Sequence, residues 1–293
     1  MTVCLSDPQS VWSLGAPLGE GPVWVERDAA LWFVDIKSHR VHRFDPASGD
    51  KRSWDAPAQV GFCLPTDSGQ FIAGLQTGLA LFDPATGDFT PIVDPEPDMP
   101  GNRLNDGVVD GHGRLWFGTM DDGEAADTGY WYRLDGNACI KAAGPVSITN
   151  GPALCPESRT IYTVDTLGGH VYASDVQPDG TLANTRLFTS IPNDEGYPDG
   201  PCVDAEGCVW ISLYNGWGVR RYSPAGELLE VVKFPVSAIT KIAFGGPDLK
   251  TVFATTAAKH LDAAGRAAQP LAGDLFSFRV GVPGLQGTTI KGF

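Results

Sequence analysis

Three polar side chains able to ligate a cation each stand directly before a Gly-Pro pair: Glu20 in Gly19-Glu20-Gly21-Pro22, Asn150 in Thr149-Asn150-Gly151-Pro152 and Asp199 in Pro198-Asp199-Gly200-Pro201. About a dozen residues later each is followed by a β-rich aromatic run, Leu31-Trp32-Phe33-Val34, Thr160-Ile161-Tyr162-Thr163 and Cys208-Val209-Trp210-Ile211. The same offset three times puts the three residues in one register of a repeat. If the repeats are wedges around an axis, Glu20, Asn150 and Asp199 meet on it as an all-oxygen cage, the donor set a hard divalent cation takes. Ca²⁺, Mg²⁺, Mn²⁺, Zn²⁺ and Fe²⁺ all accept such ligands, so the residues name a class of ion and not one ion. Asn-Gly and Asp-Gly before Pro are also ordinary turn material, but Glu20 is a poor turn former, and three such residues in one register favour a shared site.

Two further repeats reach the same register. In Asn102-Arg103-Leu104-Asn105-Asp106-Gly107 the Asp106-Gly107 pair aligns with Asp199-Gly200 within one residue, with Arg103 and Asn105 just before it at the channel mouth; the sixth repeat offers Thr240-Lys241. A guanidinium and an amide beside a metal can bind the carbonyl and hydroxyl oxygens of a polyol, whereas the plainer alternatives are a surface ion pair for Arg103 and a turn cap for Asn105. Little else competes. A Gly-x-Ser-x-Gly elbow and phosphate-binding glycine spacings are absent. The five histidines (His39, His42, His112, His170, His260) lack zinc-site spacing and are expected at surface or turn positions. Tyr197, Tyr214 and Trp217 offer rings that could stack on a ligand, but β-rich repeats bury aromatics routinely and packing is the preferred reading.

The elements that must hold these residues are short strands. Six units recur, Ala30 to Gly49, Phe71 to Gly87, Val108 to Asp135, Gly151 to Asp175, Pro201 to Gly226 and Ile242 to Val280. Anchored on Trp32, Ile72, Trp116, Tyr162, Trp210 and Val252, their period is roughly 40 to 48 residues, as in β-propeller blades. Phe44-Asp45-Pro46-Ala47-Ser48-Gly49-Asp50 and Phe82-Asp83-Pro84-Ala85-Thr86-Gly87-Asp88 are near-copies of one reversing turn, and Tyr222-Ser223-Pro224-Ala225-Gly226-Glu227 is a shorter third. Helical periodicity is nearly absent. The expected architecture is all-β: one six-bladed β-propeller domain over residues 1–293 with a central metal-binding channel. Val11-Trp12-Ser13-Leu14 would be the outer strand that closes the last blade.

A net charge of −14 argues against nucleic acid and anionic membrane surfaces as partners. The N-terminus has neither a basic stretch nor an apolar one, and no run approaches a membrane span, so a cytoplasmic monomer is expected. The six cysteines show no Cys-x-x-Cys spacing and are read as reduced thiols; only Cys202 and Cys208, flanking one hairpin, could geometrically bridge.

Leu18-Gly19-Glu20-Gly21-Pro22, Asn102-Arg103-Leu104-Asn105-Asp106-Gly107, Leu115-Trp116-Phe117-Gly118-Thr119-Met120, Ile148-Thr149-Asn150-Gly151-Pro152, Tyr197-Pro198-Asp199-Gly200 and Phe244-Gly245-Gly246-Pro247 together resemble the SMP-30/gluconolactonase/regucalcin-like family. The order is kept from about residue 15 to 280, and the likeness is strongest to the bacterial aldonolactonase branch, xylonolactonases included. The resemblance implies one catalytic divalent cation held at Glu20, Asn150 and Asp199, substrate contacts from Arg103 and Asn105, and hydrolysis of a sugar lactone, a pentonolactone such as xylonolactone above others. Asp199 is the expected ligand that also serves as general base, because its carboxylate can keep one oxygen on the metal and offer the other to water. The family often carries a Glu shortly after Gly-Thr-Met. This chain reads Asp121-Asp122-Gly123-Glu124, which leaves that acidic contact at Asp122 or Glu124. Rival readings are a metal-dependent hydrolase of other esters or phosphotriesters, and a calcium-binding propeller without catalysis.

Overall fold

A computed structural model describes residues 3–136 and 138–293. Six four-stranded antiparallel sheets follow one another along the chain. Their inner strands are Gly19–Val25, Val60–Pro65, Asn102–Val109, Thr149–Leu154, Tyr197–Val203 and Ile239–Gly245, numbered here as blades 1 to 6. Each inner strand packs against that of the next blade, and the sixth packs against the first, so the ring is a closed six-bladed β-propeller.

Closure uses the N-terminal segment. Gln9–Trp12 pairs antiparallel with Leu275–Arg279 as the outermost strand of blade 6, and Ser10 Oγ donates to Asp274 Oδ2 at 2.8 Å. The closing strand lies two residues earlier than the sequence suggests. The reversing turns are built as their composition implies: Asp45 accepts from the Ala47 and Ser48 amides, Asp83 accepts from Ala85, and Gly49, Gly87 and Gly226 take the positive φ that ends each turn.

The six sequence units capture the middle strands and truncate the blades on both sides. The outermost strands, such as Lys51–Asp55, are mostly solvent-facing and polar, so they carry little hydrophobic alternation. The inner strands are buried throughout but interrupted by Gly and Pro, which reads as turn. In blade 6 the partner equivalent to Trp32 is Phe253 and not Val252. His42 is also misread: it is buried on Arg40–Phe44, bonded through Nδ1 to Ser53 Oγ at 2.8 Å and packed between Trp12 and Phe33. Burial pushes its imidazole down to about 4. All six cysteines, Cys202 and Cys208 among them, are free thiols.

Every inner strand breaks register at the same place. Irregularities fall between Glu20 and Val23, Val60 and Phe62, Leu104 and Gly107, Asn150 and Ala153, Pro198 and Pro201, and Ile239 and Lys241. A bulge swings a side chain off the pleat, and here it does so six times around one axis. Blade 2 contributes no side chain: a Cβ on Gly61 would run into the carbonyl oxygens of Leu104 and Asn105. Gly61→Ala is therefore expected to destabilise the protein by about 1–3 kcal/mol through overpacking against backbone. Urea denaturation should show this as a lower midpoint with an unchanged slope; an unchanged midpoint would show that the blade 2–blade 3 contact can relax.

Candidate active site

The bulges can be indexed by the inner-strand residues that pair with Trp32, Ile72, Trp116, Tyr162, Trp210 and Phe253, namely Val23, Leu64, Val108, Ala153, Cys202 and Ala243. Three residues before each stand Glu20, Gly61, Asn105, Asn150, Asp199 and Thr240. Thr240 turns aside, its Oγ bonding Gly19 O at 2.6 Å. The other four side chains, with Arg103, line one cavity of about 270 Å³ at one end of the channel. Thus the structure brings all five sequence-nominated residues together and puts Asn105, rather than Asp106, in register with Asp199.

Asp106 lies one residue further along each index, where it meets Lys241 at 2.5 Å and accepts from the Gly107 and Gly151 amides at 2.7 and 3.0 Å. The pair crosses the channel because its neighbours at that level are glycines: a Cβ on Gly200 would lie 2.6 Å from Lys241 Cγ. Beyond the pair a second cavity of about 430 Å³ opens at the opposite end, lined largely by apolar side chains and prolines. The chemistry-bearing residues all face the smaller cavity.

Arg103 is 3% exposed and tightly held. Its Nε donates to Asp122 Oδ1 at 2.8 Å and its Nη1 to Asn105 Oδ1 at 2.6 Å, and Nη2 has no protein partner among the described residues. Asp122 also takes Lys37 Nζ at 2.6 Å and Gln59 Nε2 at 2.9 Å. Burial opposes ionisation of Asp122, but the Lys37 and Gln59 bonds and the Arg103 charge outweigh it and hold the carboxyl down at about 2. Asp122 therefore stands behind Arg103, while Glu124 reaches the cavity lining. Asn105 Nδ2 in turn donates to Thr149 O at 2.6 Å and Asn150 Oδ1 at 3.0 Å, and Asn150 Nδ2 donates to Thr166 Oγ1 at 2.9 Å. This relay fixes both amides and leaves Asn150 Oδ1 as an acceptor on a residue that lines the cavity.

The carboxylates are unlike surface ones. Burial, with Asp106 nearby, pushes Glu20 up to about 8. Burial together with the charges of Glu20 and Asp106 raises Asp199 well above the usual range, and burial raises Asp106 despite Lys241. Asp199 Oδ1 is buried and makes no hydrogen bond among the described residues. An unpartnered buried carboxylate oxygen beside a second carboxylate calls for a cation or a proton.

Sequence reasoning missed part of the lining. Tyr197 and Tyr214 line the cavity, Tyr214 while also packing against the core, whereas Trp217 is 48% exposed and lies outside the lining. The Tyr214 hydroxyl and His260 Nδ1 share a hydrogen bond at 3.2 Å, and His260 Nε2 and Ser237 Oγ another at 3.0 Å. Leu18, Met120, Ile148 and Leu167 give an apolar wall. Lys259, from the segment after the second strand of blade 6, also reaches the mouth, and no motif marks it.

Residues 18–258 match the family described as SMP-30/Gluconolactonase/LRE-like region. The chain is 34% identical over 270 residues to 6-deoxy-6-sulfogluconolactonase of Pseudomonas putida, covering 91% of this chain and 92% of that protein. It is 34% identical over 264 residues to L-arabinolactonase of Azospirillum brasilense, covering 88% and 87%. These homologues are sugar lactonases. Among solved structures, a calcium-binding protein, regucalcin, from Agrobacterium tumefaciens superposes with a TM-score of 0.93 at 28% identity, over 98% of this chain and 99% of that one. With the fold, the repeat and the matched region in agreement, the chain belongs to the SMP-30/gluconolactonase/LRE-like family.

Proposed function

We propose that the protein is a divalent-cation-dependent lactonase that opens a sugar lactone to its aldonic acid, with a pentonolactone such as xylonolactone as the favoured substrate. The observation that carries this reading is the gathering of Glu20, Asn150, Asp199, Arg103 and Asn105 on one small cavity, with Asp199 Oδ1 left unpartnered. Two relatives named for sugar lactones, one of them a pentonolactone, support the class of substrate.

The residues fit a hard cation. Among the described residues no three His, Cys, Asp or Glu side chains are grouped for a metal, so the donor set depends on the Asn150 amide oxygen beside the carboxylates of Glu20 and Asp199. That set is all-oxygen and of formal charge −2. When bound, the cation supplies Lewis acidity toward the lactone carbonyl and lowers the cost of keeping the carboxylates ionised.

The chain's own groups do the rest. Asp199, with one carboxylate oxygen free of any hydrogen bond among the described residues, takes the proton of the water that attacks the carbonyl carbon. The free Nη2 of Arg103 and the held amide of Asn105 orient the lactone, and the guanidinium favours the negative charge that develops on the carbonyl oxygen. The acyl C–O bond then breaks, and the ring oxygen leaves as an alcohol by taking the proton that Asp199 accepted from water, which returns Asp199 to its carboxylate form. The apolar wall faces the C–H surface of the ring and excludes water from it.

Initial rates of acid release from pentono- and hexonolactones, above spontaneous hydrolysis, should be lost on chelation and restored by one cation. Asp199→Asn should lower kcat by about 10²–10⁴ as the proton acceptor is lost. Arg103→Ala should lower kcat/KM by about 10² or more while cation binding survives. Cation binding without turnover of any lactone would favour the calcium-binding reading instead.

The raised carboxylates make a further prediction. Glu20, Asp106 and Asp199 hold protons more tightly folded than unfolded, so the native state binds more protons between the ordinary carboxylate range and about 8, where Glu20 titrates. Unfolding in that window releases those protons, so the stability of the cation-free protein falls as pH rises. A divalent cation at a hundred times its Kd should restore about 2.7 kcal/mol. Melting curves with chelator and with Ca²⁺ or Mn²⁺ at about pH 5 and about pH 8 check this; a melting temperature indifferent to cations at the higher pH would speak against the site.

A further inference from the structure

The cavity lining contains two cationic side chains, Arg103 and Lys259. Arg103 is committed to Asp122 at the base. Lys259 lies at the mouth, where its Nζ meets Glu124 Oε1 at 2.5 Å, joining the loop after the second strand of blade 3 to the segment after the second strand of blade 6. Both side chains are partly open to solvent, at 27% for Lys259 and 39% for Glu124.

Glu124 is aimed into this position by its loop. It adopts a φ of +56°, a region that favours glycine, and its amide bonds Asp121 O at 3.0 Å. The Asp121 carboxylate accepts from the amides of Gly123, Ala125 and Ala126 at 3.0–3.1 Å, which holds the loop around it. On the other side Lys259 N is tied to Pro17 O at 2.8 Å, and the adjacent His260 is braced by Tyr214 and Ser237. The ion pair therefore spans two anchored rims.

At the wall Arg103 shares Asp122 with Lys37 and, on the lactonase reading, serves the carbonyl end of the substrate, while at the rim Lys259 is neutralised by Glu124. Among the described residues that line the cavity, no unpaired cation is left at the rim for a charged tail. A hydroxyl can donate to Glu124 and accept from Lys259 without parting them. A sulfonate, phosphate or carboxylate on the tail of the substrate would meet the Glu124 carboxylate and would have to displace it from Lys259, the one ammonium among the described lining residues. Resting on the lactonase reading above, we propose that the Glu124–Lys259 pair is a specificity determinant that confines the site to lactones with uncharged hydroxyl tails and rejects those carrying an anionic substituent.

The test compares kcat/KM for gluconolactone and for the same lactone phosphorylated on its terminal oxygen, each with the cation restored. The wild-type protein should favour the neutral lactone. Glu124→Gln frees Lys259 to make one charge-assisted hydrogen bond to the phosphate and should lower the neutral-to-anionic ratio about tenfold. Lys259→Met leaves Glu124 uncompensated and should raise the ratio, and the double variant should lose the gain of Glu124→Gln. Thermal melts establish that each variant is folded. A ratio unmoved by Glu124→Gln, or moved equally in the double variant, overturns the proposal while leaving the lactonase reading intact. A wild-type preference for the phosphorylated lactone overturns it as well, and no turnover of either lactone or of any pentonolactone removes both.

Discussion

Closing six blades into a ring forces the starts of six inner strands onto one axis, and this chain places three carboxylates there. Glu20, Asp106 and Asp199 are all buried, and an unpaired charge at such depth costs several kcal/mol. One of the three is met by Lys241 from across the channel. The other two face the small cavity without a protein cation of their own, and Asp199 keeps an oxygen without any hydrogen bond. Much of what surrounds the axis follows from this one imbalance, because it leaves two buried carboxylates whose charge calls for a cation or a proton.

The backbone provides the room. Register breaks at equivalent positions swing Asn105, Asn150, Asp199 and Glu20 inward, while glycines at Gly61, Gly151 and Gly200 let neighbouring strands or side chains pass where a Cβ would collide. The Asp106–Lys241 pair then divides the channel into two cavities of different character. The polar one is small and the larger one is mainly apolar, so volume alone would direct attention to the wrong end of the molecule.

Charges around the polar cavity come in fixed pairs arranged by depth. Lys241 with Asp106 lies deepest, Arg103 with Asp122 stands at the wall, and Lys259 with Glu124 closes the rim. Their exposure increases in that order, and so does their freedom to respond to a ligand. A buried pair serves chiefly to hold geometry, whereas a half-exposed pair is worth little to stability and can be rearranged by a bound molecule. The gradient supports the proposed roles of Arg103 in orientation and of the rim pair in discrimination.

The repeat, its six-fold count and the common register of Glu20, Asn150 and Asp199 were legible in the chain alone, because turn chemistry and spacing are local properties that each blade restates. The Asp45 and Asp83 turns and the closing N-terminal strand follow from the same local rules. The choice of Asn105 over Asp106 for the cavity depended on the bulge, which shifts a side chain by one position without altering the spacing. Placing Asp122 behind Arg103 and Glu124 at the mouth required the loop conformation, including a positive φ that composition does not announce. Lys259 and Lys241 are each separated from their acidic partners by 135 residues. Such pairs exist only once the ring has closed, since nothing in the local sequence records which blades will face each other across the axis.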